Sequence, residues 1–236
     1  MSIDILKVDS NIEKTNTDSL GGGFTKPTGL YGCVVDVAYL NKSRGGALGL
    51  NLHLRVASDK SIIRETLWVT SGDAKGNKYY YKNKDGKRFL LPGMATAEQI
   101  AMITTGKPMG EQTQEEKTVK LWDPESRAEK PTKVPVLTDM VGKSILVGIH
   151  KVDRNRWSGG APTAEHSFVN QIDKVFYPDG FSTMEREAEA EQAKVHIQWQ
   201  EKYSSDFVKD EYDPSVGGGD DSLPSEAVAD TGSLFS

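Results

Sequence analysis

Between residues 29 and 70 apolar and polar positions alternate with a period of two. Tyr31, Cys33, Val35, Val37 and Tyr39 form one set. After the break RGGALG at 44–49, Leu48, Leu50, Leu52, Leu54 and Val56 alternate with Gly49, Asn51, His53 and Arg55. In SIIRETLWVT (61–70), Ile63, Leu67 and Val69 share a face with Glu65, and Ile62, Arg64, Thr66 and Trp68 occupy the other. Successive side chains of a strand point to opposite faces, so the pattern predicts three half-buried strands joined as an antiparallel meander.

Further along, YYYKNKDGKRFL at 79–90 reads as a hairpin turning around Asp85-Gly86, two residues that tolerate positive φ. Thr96 and Gln99 have capping-box spacing ahead of IAMIT and predict a short helix over 97–104. Strands are predicted at 117–122, 144–152 and 166–176, separated by loops at 123–135 and 153–164. Ser182 and Glu185 give a second capping box. Met184, Ala188, Val195 and Trp199 then recur at helical spacing and predict a C-terminal amphipathic helix within 181–204. Residues 1–27, ending in GGGFTKP, read as a flexible arm. From 205 to 236 acids, glycines and serines dominate, too few apolar groups to offset the entropy of ordering, so a disordered acidic tail is expected. No long crossing helices separate the strands, which predicts a mainly β chain, an antiparallel barrel or sandwich with long loops and two helices.

Charge adds to this picture. The net charge of −5 over 236 residues conceals a separation. Beyond Tyr203 eight acids face one base, Lys209, whereas 42–91 carries eleven Lys and Arg against Asp59, Glu65, Asp73 and Asp85. A basic body opposed to an acidic tail points toward a polyanionic ligand. The single cysteine, Cys33, excludes an internal disulfide. No apolar run reaches the roughly 18 residues of a membrane span, and the N-terminus lacks a cationic start with an apolar core. An intracellular, reducing compartment and no membrane association are expected.

Candidate chemistry narrows quickly. His53, His150, His166 and His196 are scattered, and Cys33 has no C-x-x-C partner, so no metal site is expected. Gly142-Lys143-Ser144 resembles the end of a phosphate-binding loop, but Leu137 stands where the loop needs glycine. No nucleophile elbow is present, so neither catalysis nor a cofactor is expected. What remains is the interleaving of cations with rings: Arg55, Arg64, Trp68, Lys75, Lys78, Tyr79, Tyr80, Tyr81, Lys82, Lys84, Lys87, Arg88 and Phe89. A single-stranded nucleic acid presents flat bases beside a repeating phosphate, and its binder needs both residue kinds together. Each ring taken alone is equally compatible with burial in a core.

The tail fits the same scheme. A tethered polyanion competes with nucleic acid for a cationic groove and, once displaced, is free for partner proteins. Asp220 and Asp221 would steer toward a basic rim and Leu234-Phe235 would fill a partner pocket, unless the tail merely solubilises the chain.

The stretch Trp68-Val-Thr-Ser-Gly-Asp-Ala-Lys75-Gly76 running into Tyr79–Tyr81, then Asp85-Gly86-Lys87, Leu91-Pro92-Gly93 and an acidic tail ending near an aromatic, resembles the single-stranded DNA-binding proteins of tailed bacteriophages. The resemblance spans roughly 29–176 by pattern and the tail by composition. It implies an OB-fold-like nucleic-acid-binding domain at 28–180. It also implies sequence-independent binding and protection of single-stranded DNA during phage replication and recombination, in the cytoplasm of an infected bacterial host, with the tail contacting replication proteins. This chain departs from the pattern in ending on Ser236 and in the length of its 71–135 segment. A phage structural β-barrel, a virion or tail component, is the alternative. Whether the chain forms a homo-oligomer is open.

Overall fold

The computed structural model describes residues 25–216, apart from 124, 125 and 127. Its strands and helices are, in chain order, β1 (Gly29–Lys42), β2 (Leu48–Val56), β3 (Ile62–Trp68), β4 (Tyr80–Lys82), β5 (Arg88–Leu90), α1 (Pro92–Thr105), β6 (Gln114–Asp123), β7 (Ala128–Leu137), β8 (Ser144–Ser158), β9 (Ala161–Phe176), α2 (Thr183–Glu187), α3 (Val195–Lys202) and β10 (Val208–Glu211).

The meander forms as expected, with β1, β2 and β3 antiparallel in sequence order. Leu50, Leu52, Leu54, Val56, Ile63 and Leu67 are buried, and Ile62, Arg64 and Trp68 face outward. β1 breaks the simple alternation. Its register against β2 slips between Val35 and Val37, so Asp36 bulges, and an extra residue exchanges the faces of everything beyond it. Cys33 and Val35 lie in the main core. Past the bulge Ala38 and Leu40 join that core, while Tyr39 packs on the opposite side against Val134 and Val136. The single apolar face expected from Tyr31 to Tyr39 is therefore split at Asp36.

β8 pairs with the first half of β1, and β9 folds back on β8, giving the order β9-β8-β1-β2-β3. The two outermost strands come together: the carboxylate of Glu65 on β3 accepts the Ile172 N–H of β9 at 3.3 Å. Among the described residues no ladder joins them, so the expected barrel is not closed. A side chain takes the backbone donor that a ladder would have used. One end of the sheet is covered by α1, whose Ala97, Ile100, Ala101 and Ile103 enter the core. That helix starts earlier than 97, because Pro92 holds its first turn, a position where the missing N–H costs nothing. The Thr96–Gln99 box does not form, and the Thr96 hydroxyl donates to Pro92 O within the helix.

The segments expected as loops at 123–135 and 153–164 are largely strand. β6 and β7 form an antiparallel arm that meets the sheet where Tyr39 pairs with Val136, and β8–β9 continue to a turn at Gly159-Gly160. Most β7 positions are exposed, so no apolar alternation marks it.

The single C-terminal helix is also corrected. Ser182 and Glu185 do build a capping box for α2, but the same Glu185 carboxylate accepts the N–H groups of Lys194 and Val195 at the start of α3. One side chain thus caps two short helices, and Met184 stays exposed instead of joining an apolar stripe. Burial pushes the Glu185 carboxyl up, but the Ser182, Lys194 and Val195 N–H groups outweigh it and bring it down to about 2. Trp199 of α3 is buried on β8. Its indole lies over Gly148, where a Cβ would sit 3.1 Å from the ring, and its N–H donates to Asp173 at 2.7 Å.

Both expected flexible ends are partly docked. Lys26 pairs with Asp59 at 2.6 Å, and its backbone exchanges two hydrogen bonds with the Asn170 side chain. At the other end β10 pairs parallel with Lys151–Arg154 of β8, occupying the edge that β1 leaves free beyond Ile149. Thr28 joins the two, its hydroxyl donating to Phe207 O at 2.6 Å and accepting the Lys151 N–H at 2.9 Å. Phe207 and Tyr212 supply the apolar anchors, packing against His150 and His166. The start of a disordered tail at 205 is therefore too early. Among the described residues no helix is long and apolar enough to cross a membrane.

Candidate nucleic-acid interface

Two groups of the expected residues separate in space. The first is on the outward face of β3. Trp68 is 46% exposed and lies across Gly49 of β2, its register partner. With Ile62, Arg64 and Thr66 it forms one wall of a cleft of about 530 Å³. The opposite wall comes from β8 and β9: Val152, Arg154, Phe168, Asn170 and Gln171. Phe168 is 47% exposed, with the Lys151 ammonium 4.6 Å from its ring centre. The cleft exists because β3 and β9 approach without pairing. Glu65 is in its lining and Glu211 of β10 belongs to it as well. Burial pushes the Glu65 carboxyl up to about 7, with the Ile172 N–H and the charge of Arg154 opposing the rise.

The second group is the β4–β5 hairpin. Tyr81 and Phe89, cross-strand partners, stack at 5.8 Å, and the Arg88 guanidinium lies 4.9 Å from the Tyr80 ring centre. Tyr79 meets Tyr80 edge-on at 5.3 Å. Asn83 shapes the turn by accepting the N–H groups of Asp85 and Lys87 on its side-chain oxygen. Only Gly86, not Asp85, adopts positive φ. At the base, the Ser71 N–H donates to Lys78 O and the Leu91 N–H to Tyr79 O. The hairpin therefore leaves the body a few residues past Trp68, presenting Tyr79, Tyr81 and Phe89 to solvent.

The cations differ in availability. Arg55, at the far end of β2 from Trp68, is neutralised by Asp36 at 2.6 Å. Lys75, Lys78, Lys82, Lys84, Lys87, Arg88 and, in the cleft, Arg64 and Arg154 have no ion pair among the described residues. Elsewhere cations are commonly matched, as in Lys107–Asp139, Lys130–Asp123 and Arg156–Glu165. Lys42, Arg44, Lys60, Lys143, Lys174, Lys194 and Lys202 also have no ion pair among the described residues, so the hairpin and the cleft carry unmatched positive charge without holding all of it.

Lys151, Arg154 and Phe168 were not singled out by the sequence. The signal available was the run Val152-Asp-Arg154-Asn-Arg156-Trp157, whose alternation is concealed by reading 153–164 as a loop. Trp157, 68% exposed near the tip of the β8–β9 arm, lies in the same run. The expected tail residues Asp220, Asp221, Leu234 and Phe235 lie outside the described residues. Among the described residues no group of three or more His, Cys, Asp and Glu could hold a metal ion. The Cys33 thiol is buried, and that burial pushes it up to about 12, which leaves no thiolate at neutral pH. No known protein-family model matches the chain, and no curated protein sequence matches it.

Proposed function

We propose that the protein binds single-stranded DNA without regard to base order, holding it in the β3–β9 cleft and against the β4–β5 hairpin. One observation carries this reading: Trp68 and Phe168 stand on opposite walls of a cleft that also holds the guanidinium groups of Arg64 and Arg154, neither in a salt bridge among the described residues, beside the carboxyls of Glu65 and Glu211. Stacking on exposed rings is worth about 1–3 kcal/mol per base and tolerates any sequence, while unmatched cations exchange bound counterions for phosphate.

The strand order supports an OB-fold assignment. β1, β2, β3, β8 and β9 supply five strands, α1 lies in the chain between the third and fourth, and nucleic-acid binders of this fold use the face of strands two and three together with the fourth-to-fifth connection. Here those features are the Trp68 face and the β8–β9 arm. By this reading β4–β5 and β6–β7 are insertions. The chain acts as a binding protein, not an enzyme, in phage DNA replication and recombination within the host cytoplasm. Its acidic C-terminal segment, which passes the cleft at Glu211 and stays fastened to β8–β9 through Tyr212 and Asp213, contacts replication proteins.

Titration of tryptophan fluorescence with oligo(dT) and with duplex of equal length, at low and high salt, tests this. Tight binding of the single strand that weakens steeply with salt is expected. Equal affinity for duplex, or binding indifferent to salt, overturns it.

A further inference from the structure

The outward face of β3 borders two clefts. Beside the one already described lies another, of about 580 Å³, between the β2–β3 surface and the β6–β7 arm. Arg64 and Thr66 line both, so the two share β3 as a common boundary. Resting on the single-stranded DNA reading above, we propose that this second cleft is a nucleotide subsite that receives the continuation of the strand held by Trp68 and Phe168, making the β6–β7 arm part of the interface.

The two clefts are furnished differently. The first sets the rings of Trp68 and Phe168 beside charged and amide groups, Arg64, Arg154, Asn170 and Gln171 among them. The second is lined by fixed hydrogen-bonding groups: the buried Asn51 amide donates to Asn41 Oδ1 at 2.8 Å and accepts the Thr66 hydroxyl at 2.8 Å. His53 meets Tyr39 edge-on at 6.2 Å. Burial and, next, the charge of Arg64 lower its pKa, so at neutral pH the imidazole offers one donor and one acceptor. Such groups match the edge of a base better than its face. From the arm come Lys120, which has no ion pair among the described residues, and Glu129. The volume falls in the usual range of small-molecule sites. A strand crossing β3 would lay phosphate over Arg64, stack its bases on one side, and set a base against the His53 imidazole on the other, with Lys120 meeting the next phosphate.

The arm is held to the sheet by the Tyr39 contact, so its charge can be changed without entering the main core. Lys120 is exposed, so Lys120→Glu is expected to leave the melting temperature unchanged. Binding of the full chain to labelled dT oligomers of ~4 and ~12 nucleotides, lengths at the two ends of the usual site-size range, separates the clefts. Lys120→Glu is expected to weaken the longer oligomer about tenfold and lower its salt slope by about one, and to leave the shorter one within about twofold. With 5-iodouracil at one terminus or the other of the longer oligomer, photocrosslinks are expected on β2 or β6 peptides from one end and on β3 or β9 peptides from the opposite end. If the wild type binds both lengths and Lys120→Glu alters neither, or weakens both equally, the subsite is overturned while the binding function stands. If the wild type binds neither length, the binding function itself fails, and the subsite with it.

Discussion

Gly49 and Trp68 face each other across the β2–β3 ladder, and a Cβ on Gly49 would sit 3.0 Å from the indole Cζ3 and 3.0 Å from the Thr66 methyl. The missing side chain lets the ring lie along the sheet as a shelf. Gly49→Ala should tilt the half-exposed indole outward, because Thr66 bounds the other side, and so reduce affinity for oligo(dT) several-fold. Folding stability should change by less than about 1 kcal/mol, since the displaced ring already borders solvent. Oligo(dT) titration alongside thermal melting checks this; full affinity in Gly49→Ala would show that the indole's lie is immaterial.

The two walls of the cleft should contribute separately. Trp68→Ala and Phe168→Ala are each expected to weaken binding by ~1–3 kcal/mol with little loss of stability, as both rings are about half exposed. Arg154→Ala should instead lower the salt slope by about one. Anisotropy measured across a salt series distinguishes a lost ring from a lost charge. A Phe168→Ala protein that binds normally but melts early would place that ring in the fold and not the interface.

The parts of this architecture legible in the sequence are those with one dry face. β2 and β3 alternate because Leu50, Leu52, Leu54, Ile63 and Leu67 must be buried while their neighbours are wet. The strands predicted at 117–122, 144–152 and 166–176 fall within β6, β8 and β9, but β7 and the outer part of the β8–β9 arm read as loops because most of their positions are solvated on both faces, and a strand with no dry side has no period to read. Asp36 shows a different limit: a bulge is set by pairing between strands and leaves no local mark in β1. Glu185 satisfies a local rule and a tertiary one together, and only the local capping box could be seen. For the site, the cation-and-ring pattern located Trp68 and the hairpin. Arg154 and Phe168 lie 86 and 100 residues beyond Trp68 in the chain and reach the cleft only through the curl of the sheet.

Glu65 gives the fold a pH dependence of defined sign. Its carboxyl is raised by burial from 4.5 to about 7, so between those values the native state holds a proton that the unfolded chain has released. The stability this contributes is fully present below about pH 4.5 and is lost as pH rises through about 7. Glu65→Gln keeps an acceptor for the Ile172 N–H without the charge and should flatten the profile, exceeding the wild type by up to ~3 kcal/mol at about pH 8 and matching it near pH 4. Urea denaturation at several pH values reads the difference. Parallel wild-type and variant profiles would mean that Glu65 does not titrate in this range.

The acidic segment should act in two separable ways according to where the chain is cut. Residues 217–236 carry Asp220, Asp221, Glu226 and Asp230 and no base, and they continue from a segment whose Glu211 already lines the cleft. A polyanion tethered there competes with DNA at high effective concentration. Truncation after Val216 should therefore tighten oligo(dT) binding several-fold at low salt. The gain should vanish as salt screens the attraction, and the melting temperature should not move. Truncation before Asp206 removes β10 and Phe207 too, taking away the Thr28 and His150 contacts that fasten the segment to β8, and should lower the melting temperature by several degrees. Comparing the two truncations with the full chain across a salt series, with Phe235→Ala as a test of partner recruitment, separates competition from folding. If the cut after Val216 leaves affinity unchanged at every salt concentration, the tail does not compete for the cleft, and any role it has lies wholly with other proteins.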